Sequence, residues 1–226
     1  MGRLLAIGDI HGCLISLKLL IEKVRPTHED LVIVLGDIIA RGPESKGCLD
    51  FLIELNEELK MVFLMGNHEE FMLEAKTSSI ACGSWIYFGG EEVLRSYDPL
   101  HQTVDIKNVP ENHWKFIESF QDYFETDEEI FVHGMIEPDK PVHGQDSTSF
   151  RWLTFSKASP HISGKRVICG HTLQESGVPS NLKHSICIDT NTCENGWLTC
   201  LDVKAELAHQ TNEAGDYRIL DISSTE

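Results

Sequence analysis

Six side chains have the types and the placement to hold metal ions: Asp9, His11, Asp37, Asn67, His133 and His171. Each follows an apolar run. Hard carboxylate and amide oxygens beside imidazole nitrogens suit a divalent transition metal. An Asp-x-His pair alone is common in surface loops. Weight comes from the return of compatible ligands after successive apolar runs. Six ligands exceed the needs of one ion, whereas two ions sharing a carboxylate would use them all. Two metals about 3.5–4 Å apart can activate a bridging water and hold phosphate oxygens for in-line displacement. Asp37, the central carboxylate, is the natural bridge.

The elements that must position these residues are legible as a repeat. Leu4-Leu5-Ala6-Ile7, Leu31-Val32-Ile33-Val34-Leu35 and residues 61–65 are continuous apolar runs and read as buried strands. Each ends in a glycine and a polar residue, at Gly8-Asp9, Gly36-Asp37 and Gly66-Asn67. Each is followed by a helical pattern: residues 14–24 with Leu17 and Leu20, a second opened by Pro43 with Leu49 and Leu52, and a third carrying Phe71 and Met72. Asp9, Asp37 and Asn67 fall 28 and 30 residues apart, each about one βαβ unit. Right-handed crossovers set such strand ends side by side, at the carboxyl edge of a parallel sheet where ligands bind. The same logic recurs at residues 129–134, ending in His133-Gly134, and at residues 166–172, ending in Gly170-His171. Residues 185–188 and 197–203 read as paired strands joined by a turn at 191–196, and residues 215–222 as a final strand. Residues 223–226 read as a frayed end.

Composition sets the class. The chain has 226 residues, 41% hydrophobic and 24% charged, ordinary for a globular protein. One domain over 1–226 is the expectation. The net charge of −17 argues against a broad nucleic-acid footprint and against docking to anionic membranes. A small phosphorylated substrate remains compatible, because a bound metal reverses the local field. Arg3 leads almost at once into a strand, which leaves no signal-peptide core, and no apolar run approaches a membrane span. The seven cysteines are odd in number and lack a Cys-x-x-Cys pair, so they read as reduced, buried thiols of a cytoplasmic protein.

Five motifs in order carry a resemblance: Asp9-x-His11, then Gly36-Asp37-Ile38-Ile39-Ala40-Arg41-Gly42, Gly66-Asn67-His68-Glu69, Val132-His133-Gly134 and Gly170-His171-Thr172. Together they resemble the calcineurin-like metallophosphoesterases, in particular the phosphoprotein phosphatase superfamily and its small bacterial and phage members. The resemblance implies an α/β fold of four layers, α/β/β/α. Its centre is a β-sandwich of mixed sheets flanked by helices, with the metal site at the C-terminal ends of the strands. It implies two divalent metal ions, manganese foremost, with iron, zinc or cobalt compatible. Asp9, His11 and Asp37 would hold one, and Asp37, Asn67, His133 and His171 the other. Arg41 would grip phosphate, a task its planar fork suits. His68 would protonate the leaving group, and Arg151 is the candidate second phosphate-binding arginine. The implied substrate is a phosphorylated protein or a small phosphate ester.

One position departs from the phosphatase pattern. Ala40 stands where those enzymes carry an aspartate thought to orient the general-acid histidine, so His68 should protonate less readily here. Ala40-Arg41-Gly42-Pro43 is also what the symmetrical diadenosine tetraphosphate hydrolases of the superfamily look like, and their nucleoside diphosphate leaving group needs little protonation. A non-catalytic metal-binding module is a third, weaker reading. Glu69 reads as a helix first-turn carboxylate, and Asp189 as either a turn residue or a support for a metal-bound histidine. His28, His101, His113, His143, His161, His184 and His209 have no motif context and read as surface or supporting groups, with His184 the nearest candidate to the site. Substrate specificity is expected in the loops at 79–97 and 137–148.

Overall fold

The computed structural model describes residues 2–98, 100 and 105–223. His101 and the last three residues of the expected frayed end, 224–226, lie outside them.

The repeat inferred from sequence forms β1 (Leu4–Ile7), α1 (Leu14–Val24), β2 (Leu31–Val34), α2 (Ser45–Glu58), β3 (Lys60–Phe63) and α3 (Asn67–Ala75). The three strands are parallel neighbours, with Leu5 opposite Val32 and Ile33 opposite Val62. Their carboxyl ends therefore share one edge. Alternate side chains serve two cores, as the period of two in a strand requires. Leu5, Ile7, Val32 and Val34 pack outward against Leu17 and Leu20 of α1 and Cys48, Leu49 and Leu52 of α2. Leu4, Ala6, Ile33 and Leu35 point inward. Burial on both faces is why these strands read as continuous apolar runs rather than alternating ones.

The chain continues through α4 (Ser79–Trp85), a π-helical turn at Ile86–Gly90, α5 (Glu91–Tyr97) and α6 (Glu111–Glu118). Then come β4 (Tyr123–Glu125), β5 (Glu129–Val132), α7 (Ser147–Trp152), β6 (Arg166–Cys169), β7 (Ser180–Asn181) and β8 (Ser185–Cys187). The last strands are β9 (Leu198–Asp202), β10 (Leu207–Thr211) and β11 (Tyr217–Asp221). One mixed sheet has the order β11-β10-β9-β1-β2-β3, the other β4-β5-β6-β8-β7. Phe131, Ile168 and Ile186 of the second sheet meet Ala6, Ile33 and Leu201 of the first in the inner core. On its outer face the second sheet is covered by Phe150 of α7, with Met135, Val142 and Phe155. The result is the expected helix–sheet–sheet–helix stack.

Three expectations need correction. Residues 185–188 and 197–203 do not pair: β8 joins the second sheet and β9 the first, antiparallel to β1. An isolated Thr190–Trp197 bridge and a Thr190–Thr199 hydroxyl contact join the chain just after β8 to the start of β9. The turn at 191–196 therefore carries the chain across the sandwich. Pro43 precedes α2 rather than opening it. The Gly42 and Glu44 amides donate to the carbonyls of His11 and Gly12, at 3.0 Å each, which folds this turn over the first ligand loop. His184 precedes β8, which runs parallel to β6, so it lies at the strand edge opposite the ligands.

Candidate metal centre

The strand ends bring the predicted ligands together in the floor of a cleft. Asp9, His11, Asp37, Asn67 and His133 are buried, and His171 is half-buried. His11 Nε2 lies 3.9 Å from Asp9 Oδ2 and 3.7 Å from Asp37 Oδ2. On the other side of Asp37, His133 Nε2 lies 3.4 Å from the same Oδ2. Asn67 Oδ1 sits 3.0 Å from both His133 Nε2 and His171 Nδ1. Ligand atoms of His11, Asp37 and His68 lie within 4.8 Å of one another, and so do those of Asp37, His133 and His171. Asp37 is common to both groups.

Tautomers are set by the backbone. Nδ1 of His11 donates to the Ile39 carbonyl at 3.1 Å, and Nδ1 of His133 to the Leu35 carbonyl at 2.9 Å. Both rings thus turn Nε2 toward the centre, the usual role of a ligand histidine's other nitrogen. Nε2 of His11 is buried without a hydrogen-bond partner. A buried nitrogen lone pair aimed at two buried carboxylates is what a cation would satisfy, so the residues fit a divalent metal pair. The electrostatics of the cluster is uneven: burial works to lower His133, but Asp37 outweighs it and raises the ring to about 10, a positive charge that a bound cation would replace. Burial and the nearby Asp189 push Asp9 well above the usual carboxylate range. Burial also works to raise Asp37, but His133, His68 and His11 outweigh it and hold the carboxyl far down. Burial lowers His11 to about 3 and, with the charge of His133, His171 to about 4. At neutral pH these two rings therefore offer lone pairs.

The loops that deliver the ligands are strained and tightly bonded. His11, Asp37, Ala40, Arg41 and His171 all have positive φ, between 47° and 73°. Non-glycine residues in that region cost energy and collect where function over-determines the backbone. The Asp37 carbonyl accepts from the amides of Ile10 and His11, at 3.0 and 2.8 Å. The Glu69 carboxylate accepts from the amides of Asp37 and Ile38 at 2.9 Å, and of Ile39 and Gly66 at 3.2 Å. Glu69 is thus the support of the Asp37 turn, more than a dipole-favoured helix residue. Burial, together with the charge of Asp37, raises it to about 7. Gly170 packs so closely that a Cβ there would lie 2.1 Å from Asp9 Oδ1, which gives the strand–glycine–ligand pattern a steric reason.

Around this floor lies a cavity of about 620 Å³. Arg41, Asn67, His68 and His171 line one end; Phe71, Tyr87, Phe88, Glu92 and Trp152 contribute the rest, with Gly89 and Glu194. His68 is buried with its Nδ1 unpartnered, and burial lowers its pKa. The unpartnered nitrogen is the structural counterpart of Ala40.

Arg151 does not line the cavity. Its guanidinium pairs with Glu70 and Asp122, and those two carboxylates occupy the fork that a phosphate would need. Arg166 is likewise held by Glu206 and the Val203 carbonyl. Arg41 is the only arginine lining the cavity among the described residues. Of the expected specificity loops, 79–97 supplies Tyr87, Phe88, Gly89 and Glu92, while 137–148 supplies no lining residue. Trp152 and Glu194 were not foreseen. Nor was the burial of His113, which bonds Asp50 and Tyr97 away from the centre, or that of His161. Asp189 is buried beside Asp9 and accepts from the Asn191 amide, a turn contact; no histidine donates to it among the described residues. No helix among the described residues is long and apolar enough to cross a membrane.

Comparison with known proteins accords with this arrangement. Residues 2–175 match the calcineurin-like phosphoesterases. Over 90 residues the chain is 40% identical to serine/threonine-protein phosphatase 1 of Salmonella typhimurium, which is 39% of each chain. Over 135 residues it is 33% identical to the symmetrical bis(5'-nucleosyl)-tetraphosphatase of Cellvibrio japonicus, or 59% of this chain and 45% of that one. These matches span less than half the length of either relative. A solved cold-active protein-tyrosine phosphatase of a psychrophilic Shewanella species superposes with a TM-score of 0.67 at 16% identity, covering 97% of this chain and 80% of that one; it shares the fold.

Proposed function

The chain belongs to the calcineurin-like phosphoesterase family, and on that premise we propose that it is a two-metal phosphoesterase that hydrolyses phosphate monoesters, with a phosphoprotein or small phosphate ester as substrate. The observation that carries this reading is the position of Asp37 between two histidine groups, with His11 Nε2 at 3.7 Å and His133 Nε2 at 3.4 Å. Asp9, His11 and Asp37 would hold one ion, and Asp37, Asn67, His133 and His171 the other. When bound, the metal pair would supply Lewis acidity and an activated water. The protein's own residues do the rest. Exposed Arg41 at the cavity rim grips phosphate oxygens in a bidentate fork. His68, on the cavity wall, hands a proton to the departing oxygen.

Ala40 favours a second reading, hydrolysis of a dinucleoside tetraphosphate. His68 Nδ1 is buried with no acceptor to stabilise its protonated form, which matters least when the leaving group is a nucleoside diphosphate. The relative from Cellvibrio japonicus carries that activity in its name.

One substrate panel with defined metals tests both. Metal-dependent release of phosphate from an aryl phosphate or a phosphoserine peptide, lost in Asp37→Asn, supports the first. Formation of ADP from diadenosine tetraphosphate supports the second. A metal-loaded protein inert on all of these would refute both.

A further inference from the structure

Four aromatic side chains meet at the cavity, three of them open to solvent. Phe71 stacks on Phe88 with ring centres 5.8 Å apart and meets Trp152 edge-on at 5.2 Å. Tyr87 stands edge-on to Phe88 at 5.1 Å. Tyr87, Phe88 and Trp152 remain 83%, 54% and 37% exposed. A contiguous apolar surface of this kind marks a binding site rather than a core.

The wall is continuous with the metal centre. Trp152 lies edge-on to His171, ring centres 6.0 Å apart. The Ile86–Gly90 turn brings Tyr87 and Phe88 down onto the ligand loops. A Cβ on Gly89, at φ +105°, would sit 3.3 Å from the Ala40 Cβ and 4.0 Å from His68 Cε1. Trp152 is also fixed from behind: its Nε1 donates to Glu70 Oε2 at 3.0 Å, while the other Glu70 oxygen pairs with Arg151. Arg151 and Glu70 are thus positioning residues for an indole on the cavity wall. Charge sets the direction of entry. Arg41 lies at the phosphate end, while the carboxylates of Glu92 and Glu194 line the same cavity and repel any further anionic group.

We propose that Phe71, Tyr87, Phe88 and Trp152 form a specificity wall that selects phosphate compounds whose organic group carries a planar aromatic ring. This rests on the phosphoesterase reading for the phosphate end of the cavity. The ring stacks on Phe88, edge-on to Tyr87 and with Trp152 on the same wall, while the phosphate reaches Arg41. A nucleobase and a phenyl ring share this chemistry.

Two pairs of ligands of matched charge separate the sources: adenosine 5'-phosphate against ribose 5-phosphate, and phenyl phosphate against methyl phosphate. Binding is measured by calorimetry on the full chain. Stacking of one ring predicts roughly tenfold tighter binding of the ringed member in at least one pair, and the pair with the larger ratio names the source. Phe88→Ala and Trp152→Ala should each bring that ratio toward one, and Glu70→Ala should lower it by freeing the indole. Equal binding within both pairs overturns the proposal, as does a ring preference that survives both aromatic substitutions. A ring preference without turnover of any phosphate ester would sink the phosphoesterase reading and leave the wall standing.

Discussion

The Glu69 carboxylate closes on the Asp37 turn, holding the backbone amides of Asp37 and Ile38 at 2.9 Å from its two oxygens. Among the described residues the one carboxylate common to both histidine groups is therefore held by a second, fully buried one. Glu69→Gln keeps the shape but offers one acceptor oxygen and turns an amide donor toward backbone donors. Charged hydrogen bonds lost in a buried setting cost on the order of 2–3 kcal/mol. A chain of this size should then lose roughly 5–10 °C in Tm, read by thermal denaturation, and bind metal more weakly. An unchanged Tm would mean that the turn stands without Glu69.

Asp37 makes a sharper prediction about stoichiometry. Asp37→Ala removes the oxygen that faces His11 and His133 alike. Metal content by elemental analysis should fall for both ions together, and turnover by at least ~10³-fold, as expected when metal activation of water is lost. Retention of one tightly bound ion would show that the two positions are independent.

Ala40→Asp restores a carboxylate beside His68, whose Nδ1 is buried without a partner. Aspartate tolerates the φ of +73° at this position better than alanine does. The substitution should raise kcat on esters with poor leaving groups, such as a phosphoserine peptide, by ~10-fold or more, within the usual range for proton transfer. On a nitrophenyl phosphate the gain should be small. An equal change on both substrates would show that His68 does not donate the proton.

Asp30 sets a pH dependence far from the centre. Burial works to raise it, but its hydrogen bond with Arg3, at 2.8 Å, and the Arg3 and Thr27 amides lower it to about 2. A depressed carboxyl contributes stability that is complete above its unfolded value near 4 and is lost as pH falls toward 2. With the half-exposed arginine discounted for solvent screening, the contribution is about 1–2 kcal/mol. Asp30→Asn should cost that much at pH 7 and nearly nothing at pH 2, measured by urea denaturation at both. A pH-independent difference would assign the effect to packing.

The readable part of this molecule is the part built from local rules. β1, β2 and β3 announce themselves because each is apolar throughout, and each ends in a glycine and a ligand-type residue. That glycine is dictated by close packing, as at Gly170 against Asp9. The unread parts depend on partners distant in the chain. The segment 197–203 reads as a strand, but nothing local says that it pairs with β1 rather than β8. Tyr87 and Phe88 fall in a stretch expected to carry specificity, but aromatic type does not reveal exposure, and nothing local marks Trp152 as a cavity residue. Arg151 falls in the expected interval for a phosphate ligand. Its true partners, Glu70 and Asp122, stand 81 and 29 residues away. Glu69 is legible as a helix residue, but the amides of Asp37, Ile38 and Ile39 that donate to it lie on a turn that only the fold brings near.

The pairing of β1 with β9 carries a consequence for how this protein comes into being. Leu5 sits opposite Asp202 and Ala6 opposite Leu201. During synthesis the first strand, with Asp9 and His11 at its tip, waits with one edge open until β9, residues 198–202, has left the ribosome. Contacts spanning almost the full length are slow to form and leave strand edges exposed meanwhile. Asp9 and His11, the first of the candidate ligands to be made, thus sit on a strand whose one edge is among the last to be closed and can pair wrongly until then.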